Sequence, residues 1–159
     1  MSVSLYGSGQ TVIQVVYASS NTVVTSTTTT RNGAATGLTA TITPQSTTSK
    51  ILVLWQVANS VDPTNNIYIN LLRNGSTELL IGSGGTVNAT AKGYGIAYVD
   101  NLAAPSTGTY LDSPATTSAT TYAPYFWVQG STGYINRSSS QPVVTVVTSS
   151  ITLIEISGS

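Results

Sequence analysis

The chain contains no cysteine and no histidine among its 159 residues. Disulfide bonds, thiolate or imidazole metal ligands and a histidine general base are therefore excluded. Charge is scarce as well, with five Lys or Arg against five Asp or Glu, so that the formal net charge is zero. The basic side chains are scattered along the chain, whereas nucleic acid and anionic membranes require them clustered. We therefore expect neither nucleic acid nor a membrane as a partner.

Long hydrophobic runs are missing too. The sequence contains no run of 18 apolar residues, and Met1–Gly7 lacks the basic and apolar regions of a signal peptide. No window keeps helical spacing over ten residues, and strong helix formers are sparse. The sequence thus predicts no membrane span and no significant helix.

Catalytic and metal-binding constellations are absent from the sequence. Acid–base chemistry requires two positioned titratable groups, but the five carboxylates never occur as a close pair. Asp62, Asn65 and Asn66 offer oxygen atoms for a calcium ion, yet these residue types also form turns, and we favour that interpretation. We predict no enzyme activity, no metal site and no cofactor.

The most informative stretch that is present is Ser49–Val57. If it is a strand, Ile51, Val53, Trp55 and Val57 point to one side, while Leu52 and Leu54 point to the other. Because both faces are apolar, we place this strand in the middle of a sheet, covered on both sides.

Short strands separated by turn signals occupy most of the remaining chain. Leu38, Ala40 and Ile42 alternate with Thr in a half-buried strand, and Asn74-Gly75 marks a hairpin. The other predicted strands are Thr11–Tyr17, the run Thr27–Thr30, the segment around Tyr94–Tyr98, Thr120–Gln129, Gly133–Arg137, Val143–Val147 and Ile151–Ile156. Leu102–Gly108 is predicted as a loop, and Pro124 indicates an edge position or a bulge.

This pattern predicts an all-β fold, an antiparallel β-sandwich of the jelly-roll type, with an immunoglobulin-like sandwich as the alternative. Residues 11–159 are predicted to form a single domain. Met1–Gln10 is predicted to be an extended N-terminal arm. Its larger side chains, Val3, Leu5 and Tyr6, are candidates for anchoring the protein to a larger assembly.

Aromatic side chains are the candidate interaction residues. They suit either a protein interface, which we favour, or the stacking of a sugar ring. Because side chains alternate along a strand, the aromatic residues on one side of it are expected to belong to the core. The candidates are Tyr110, Tyr122, Tyr125, Trp127 and Tyr134.

The stretch Tyr110–Tyr122 reads Tyr-Leu-Asp-Ser-Pro-Ala-Thr-Thr-Ser-Ala-Thr-Thr-Tyr. It resembles a motif of small virion-surface proteins of tailed bacteriophages, notably those that infect cyanobacteria and other marine bacteria. Weaker similarity to the same group covers Val12–Tyr17, Gly37–Pro44, Ser49–Val53 and Ile151–Ile156. The resemblance implies a structural role on the particle surface and gives no catalytic residues.

From this resemblance we expect a subunit made in the bacterial cytoplasm and located on the virion. Without heptads or collagen-like repeats the chain has no fibre shaft, which favours a head decoration, or cement, protein on the major capsid protein. The resemblance further implies a homotrimer, and the many tyrosines suit such an interface. The alternative is a tail-fibre or receptor-binding adhesin that binds host-surface glycans.

Overall fold

The computed structural model describes residues 9–62, 65–79, 94–97, 103–139 and 147–158, with the backbone alone described for 94–97. These residues contain strands and turns but no helix. The strands are β1 (Val12–Ser20), β2 (Val24–Ser26), β3 (Ala34–Ala35), β4 (Ala40–Ile42), β5 (Lys50–Val61), β6 (Ile67–Arg73), β7 (Thr77–Glu78), β8 (Tyr94–Ala97), β9 (Ala104–Asp112), β10 (Thr120–Val128), β11 (Gly133–Ile135) and β12 (Ser149–Ile156).

The first sheet is organised around β5. One edge of β5 pairs with β12 along Lys50–Gln56 and with β11 along Asn59–Val61, while β9 occupies the other edge. Beyond these neighbours, β1 pairs with β12 and β2 pairs with β11. Every pairing in this sheet is antiparallel, and the main strand order is β1-β12-β5-β9.

The second sheet has β10 and β6 at its centre, paired along seven residues. On its other edge β10 pairs with the short strands β4 and β3, and β6 pairs on its other edge with β7 and β8. These pairings are antiparallel as well.

The two sheets enclose one apolar core. Ile51, Val53 and Val57 of β5 are completely buried, and Tyr122 and Phe126 of β10 are buried with them. Side chains alternate across each strand, so each sheet contributes every second residue to this interior. The antiparallel β-sandwich predicted from the sequence is therefore confirmed, whereas the jelly-roll strand order stays a prediction.

The inner row of β5 depends on a glycine in β9. Trp55 pairs with Gly108, and a Cβ atom at position 108 would lie 2.5 Å from the Trp55 indole ring. Only a residue without a side chain leaves room for the ring at this point, since interiors are packed to near-crystalline density.

The Asn74-Gly75 hairpin is confirmed. Asn74 has a φ of 51° and Gly75 a φ of 72°, which gives the two positive φ angles of a type I′ turn between β6 and β7. Asn is among the few residues with a side chain that tolerate this conformation, and its amide oxygen also accepts a hydrogen bond from the backbone N–H of Thr121 at 2.9 Å.

Two element predictions were wrong. The predicted strand Thr27–Thr30 is irregular. β2 ends at Ser26, and the backbone N–H groups of Thr28 and Thr30 donate to hydroxyl groups two residues earlier, which leaves a single backbone hydrogen bond from Val128 of β10 to Thr28 in place of a ladder. The predicted loop Leu102–Gly108 falls largely within β9, whose pairing with β5 overrides the low β-propensity of Pro105 and Gly108. The predicted strand Val143–Val147 lies outside the described residues apart from Val147, which is not in a strand.

Pro124 is neither at an edge of the sheet nor in a bulge. It lies in the middle of β10, opposite Leu71 of β6. Its carbonyl oxygen accepts hydrogen bonds from the backbone N–H and the hydroxyl of Thr36, in the gap where the neighbour of β10 changes from β4 to β3. The missing N–H of proline falls at this gap, so that no ladder hydrogen bond to β6 is lost.

Candidate functional site

The outer surface of the first sheet carries apolar side chains in rows that cross its strands. One row consists of Val15, Ile154, Leu52 and Leu111, which the pairing of β1, β12, β5 and β9 places side by side. Tyr17 and Leu54 belong to the next row, and Val12 pairs with Ile156 at one end. We call this set the outer apolar face: Val12, Val15, Tyr17, Leu52, Leu54, Leu111, Ile154 and Ile156.

Much of the outer apolar face is in contact with solvent. The exposed fraction is 58% for Val15, 63% for Tyr17, 37% for Leu54 and 41% for Leu111. The central strand was predicted to be covered on both sides. Between Ile51 and Val57, however, only the inward row is buried, whereas Leu52 is half-buried and Leu54 is exposed. This contiguous exposed apolar patch is therefore the candidate interaction surface.

Charge is nearly absent from the outer apolar face. Within β1, β5, β9 and β12, Lys50 is the charged residue that is exposed, since Asp112 and Glu155 are buried. A partner that docks here would meet little cost for desolvating ions, and the contact would be insensitive to salt. The chemistry of the surface thus favours apolar packing over recognition of a charged ligand.

A groove with a volume of about 250 Å³ lies at one end of this face. Leu52, Leu111, Ile154 and Ile156 line it, together with the start of β1 and the residues just before it. A second, more polar depression lies farther along the same face, with Gln56, Thr107, Thr109, Ser150 and Thr152 around it. The surface therefore changes from aliphatic to hydroxyl-rich along β5.

Two of the candidate aromatic residues are part of the folded interior. Tyr122 is completely buried in the core, and Trp127 is 1% exposed and stacks on Tyr68 with ring centroids 5.3 Å apart. Because neither ring reaches solvent, neither is available for an interface or for a sugar, which corrects their selection as candidates. Tyr122 and Trp127 are an odd number of residues apart in β10, so their side chains lie on opposite sides of the strand.

The other candidates are half-buried and do not form one site. Tyr110 packs against the core from β9, and Tyr125 lies opposite Asn70 on the second sheet. Tyr134 in β11 belongs to a separate polar group described below. The anchor candidates Val3, Leu5 and Tyr6 lie outside the described residues.

Tyr134 is held between two charged residues. Its hydroxyl donates a hydrogen bond to Oδ1 of Asp62 at 3.0 Å, and the guanidinium carbon of Arg137 lies 4.6 Å from the ring centroid. Burial and the hydrogen bond to Asp62 raise the pKa of Tyr134 above its ordinary value. The arrangement is an aromatic ring flanked by an acidic and a basic side chain.

The loop weighed as a calcium site is occupied by protein hydrogen bonds. Oδ2 of Asp62 accepts from the hydroxyl of Ser131 at 2.8 Å, and Asn66 donates to the Gln129 side chain at 2.6 Å. Among the described residues, no three His, Cys, Asp or Glu side chains are grouped as metal ligands.

A buried ionic cluster connects the two sheets. Nη1 of Arg73 in β6 donates to both carboxylate oxygens of Asp112 in β9, at 2.9 and 2.7 Å. The hydroxyl of Tyr122 in β10 donates to Oδ2 of the same carboxylate at 2.7 Å. Burial, followed by the hydrogen bond to Asp112, raises the pKa of Tyr122 far above its ordinary value. The cluster ties β6 and β10 to β9, since the Asp112 carboxylate accepts hydrogen bonds from both Arg73 and Tyr122.

A second buried carboxylate belongs to Glu155 of β12. Burial by itself would raise the pKa of Glu155, but hydrogen bonds outweigh it and lower that pKa below its ordinary value of 4.5. Among them are bonds donated by Nε2 of Gln14 at 2.5 Å and by the backbone N–H of Gln45 at 2.7 Å. The ionised form is therefore the one that fits the folded protein.

These two groups predict how stability depends on pH. Glu155 has a lowered pKa, so its contribution is present above pH 4.5 and is lost as the pH falls further. Tyr122 has a raised pKa, so its contribution is present below pH 10.0 and is lost as the pH rises further. We expect the midpoint of thermal unfolding to stay flat between about pH 6 and about pH 9, because the chain has no histidine. The Tyr122→Phe variant should have a smaller alkaline decline than the wild type, with a remainder from Tyr134, whose pKa is also raised. A marked change near neutrality in the wild type would contradict this account.

The outer apolar face is the feature that the sequence did not reveal as a site. Leu52 and Leu54 were recognised as the second apolar side of the central strand, but that side was predicted to be covered. Leu111 was hidden because its strand was partly predicted as a loop. Val15 and Tyr17 lie in the predicted strand Thr11–Tyr17, but nothing in the sequence indicated that their side of it faces solvent.

Comparison with known proteins adds no relationship. No protein-family model matches the chain, and no curated protein matches it significantly. The described residues form no helix long and apolar enough to cross a membrane.

Proposed function

We propose that the chain is a structural subunit of a bacteriophage virion, namely a trimeric head decoration protein on the capsid surface. The observation that carries this proposal is the outer apolar face, which is exposed and nearly uncharged. A surface of this kind packs against another protein and contributes through burial, at roughly 25 cal/mol per Å² of apolar area. The resemblance of Tyr110–Tyr122 to virion-surface proteins supplies the kind of assembly.

The strand order supports a jelly-roll arrangement. Among the strands of the described residues, two rows of four can be followed, which in chain order comprise β1, β4, β5, β6, β8, β9, β10 and β12. The first, eighth, third and sixth of these lie side by side in one sheet, and the second, seventh, fourth and fifth in the other. Two interlocked Greek keys produce this order, and such double-sheet folds are common in capsid proteins.

Association into a trimer follows from the surface and from the resemblance together. The face is apolar enough to require a cover, and closed cyclic symmetry confines the contact between identical copies to a finite ring. The number three is implied by the virion proteins that the chain resembles. We further propose contact with the major capsid protein, with Val3, Leu5 and Tyr6 as anchor candidates.

Purified particles of the phage that encodes the chain provide the test of location. Cryo-electron microscopy of intact particles should place the sandwich on the head, and deletion of residues 2–10 should leave folding intact but abolish attachment. Density for this chain at the tail alone would exclude the decoration role. Absence of the chain from purified particles would exclude a virion protein altogether.

Binding of host-surface glycans is the second candidate function, and the geometry around Tyr134 favours it. The ring is half-buried, with Asp62 bonded to its hydroxyl and Arg137 against one face. A glycan array with the purified protein should then show binding that the Tyr134→Ala variant loses. Absence of binding across host polysaccharides would rule out the adhesin role and leave the decoration role unaffected.

A further inference from the structure

The groove at one end of the outer apolar face begins where the N-terminal arm joins the sandwich. Gln10, Thr11 and Val12 are themselves among the residues that line it. Residues 1–8, which the structure does not describe, therefore connect to the domain at the rim of an apolar groove. The connection is Gly9, whose φ of 111° is a backbone conformation that residues with side chains rarely adopt.

The arm is long enough to cross the sheet from this point. Eight extended residues span at most about 26 to 29 Å. The four strands β1, β12, β5 and β9 lie side by side, and three inter-strand spacings amount to about 14 Å. Even a partly extended arm can therefore reach from β1 to Leu111 on β9.

The sequence of the arm matches the chemistry of the groove. Residues 1–6 read Met-Ser-Val-Ser-Leu-Tyr, so that an extended arm presents Met1, Val3 and Leu5 on one side. Ser2, Ser4 and Tyr6 point to the other side. The arm has no charged side chain, and the groove is lined mainly by Leu52, Leu111, Ile154 and Ile156.

We propose that residues 1–8 lie in the groove of their own subunit, with Val3 and Leu5 packed against its aliphatic side chains. Because the arm belongs to the same chain, its effective concentration at the groove is in the millimolar range. A separate partner that competes for the groove would have to exceed this concentration or bind more tightly. Tyr6 then faces away from the sheet and is the arm residue left to contact another protein. With Val3 and Leu5 packed on their own subunit, only Tyr6 of the three anchor candidates remains for contact with the capsid. The location of the chain on the virion does not depend on this placement, so the two are tested separately.

The natural absence of cysteine makes disulfide trapping a clean test. Leu5→Cys is combined with Leu111→Cys in one variant and with Leu52→Cys in another, and each protein is oxidised and analysed by non-reducing electrophoresis and mass spectrometry. The control combines Leu5→Cys with Thr39→Cys, because Thr39 is exposed and precedes β4 of the second sheet. Thermal unfolding of each reduced variant verifies that the sandwich is folded before oxidation.

We expect an intramolecular disulfide in at least one groove variant, formed about tenfold faster than in the control. All variants have the same tether, but a docked arm holds residue 5 next to the groove and so raises its effective concentration there. Equal rates in the groove variants and the control would overturn the proposal. A ladder of covalent dimers and trimers would also overturn it, since the arm would then occupy the groove of a neighbouring copy.

Deletion of residues 2–8 gives an independent readout. The dye ANS fluoresces on exposed apolar surface, so the deletion variant should bind it several-fold more than the full chain if the arm covers the groove. Adding Leu111→Ser to the deletion should reverse part of that gain. An unchanged ANS signal on deletion, in a variant with the wild-type unfolding midpoint, would contradict the docked arm.

Discussion

Replacing Asp112 with Asn should lower the free energy of unfolding by about 3 kcal/mol, near the lower end of what the loss of one partner from a buried ion pair costs. The carboxylate of Asp112 is 6% exposed and accepts hydrogen bonds from Arg73 and Tyr122. An amide removes the charge opposite Arg73 and turns one acceptor into a donor, which leaves buried groups without partners. The side chain of Arg73 is 23% exposed, so water compensates part of the loss.

Urea unfolding of the Asp112→Asn variant at neutral pH measures this cost. The matched control is Glu78→Gln, which removes the carboxylate that pairs with Arg31 at a more exposed place in the same fold. We expect the control to cost about 1 kcal/mol or less, because the Glu78 side chain is 29% exposed and water can solvate the partners that it leaves. Equal losses of stability in the two variants would show that the cluster around Asp112 does not hold the two sheets together.

The position of Asp112 also explains what the Tyr110–Tyr122 stretch does in this chain. It leads from β9 in the first sheet to β10 in the second, and its Asp112 and Tyr122 bond to each other at 2.7 Å. The residues that carry the resemblance to virion-surface proteins thus close a connection between the sheets.

The second large effect is expected on assembly. The double substitution Val15→Lys and Tyr17→Lys should convert the proposed trimer into single chains. Both side chains are more than half exposed on β1, so the change should alter folding stability by no more than about 0.5 kcal/mol per site. In a subunit interface, however, the two ammonium groups would be buried without partners, which opposes association.

The control for this variant places the same charges on the other sheet. Thr39 and Thr41 are exposed residues next to and within β4, and Thr39→Lys with Thr41→Lys should leave the molecular mass of the assembly unchanged. If the substitutions on β4 dissociate the assembly and those on β1 do not, the interface lies on the second sheet and the assignment to the outer apolar face is wrong.

The fold was predictable from the sequence because its strongest signals are local. Alternation at Leu38, Ala40 and Ile42, the Asn74-Gly75 turn and the apolar run in Ser49–Val57 each specify a strand or a turn within a few residues. The strand β9 was missed because Pro105 and Gly108 indicate a loop, and only the pairing with β5 explains a strand there. That pairing joins segments about 50 residues apart, which single-sequence patterns do not report.

The candidate site was less predictable, since it depends on which face of each strand meets the core. An irregular register between Val12 and Gln14 resets the alternation in β1, so that Val16 and Ala18 pack inward while Val15 and Tyr17 face solvent. Trp127 looked like an exposed aromatic, yet it is buried against Tyr68. Composition identifies apolar and aromatic residues, but it does not decide which of them the monomer already covers.

The mass of the purified protein in solution tests the central claim most directly. Light scattering at micromolar concentration should give the mass of three chains, and that mass should persist in high salt, because the outer apolar face is nearly uncharged. A mass of one or two chains at ordinary salt would contradict the trimer, and a trimer that dissociated in high salt would contradict an apolar interface.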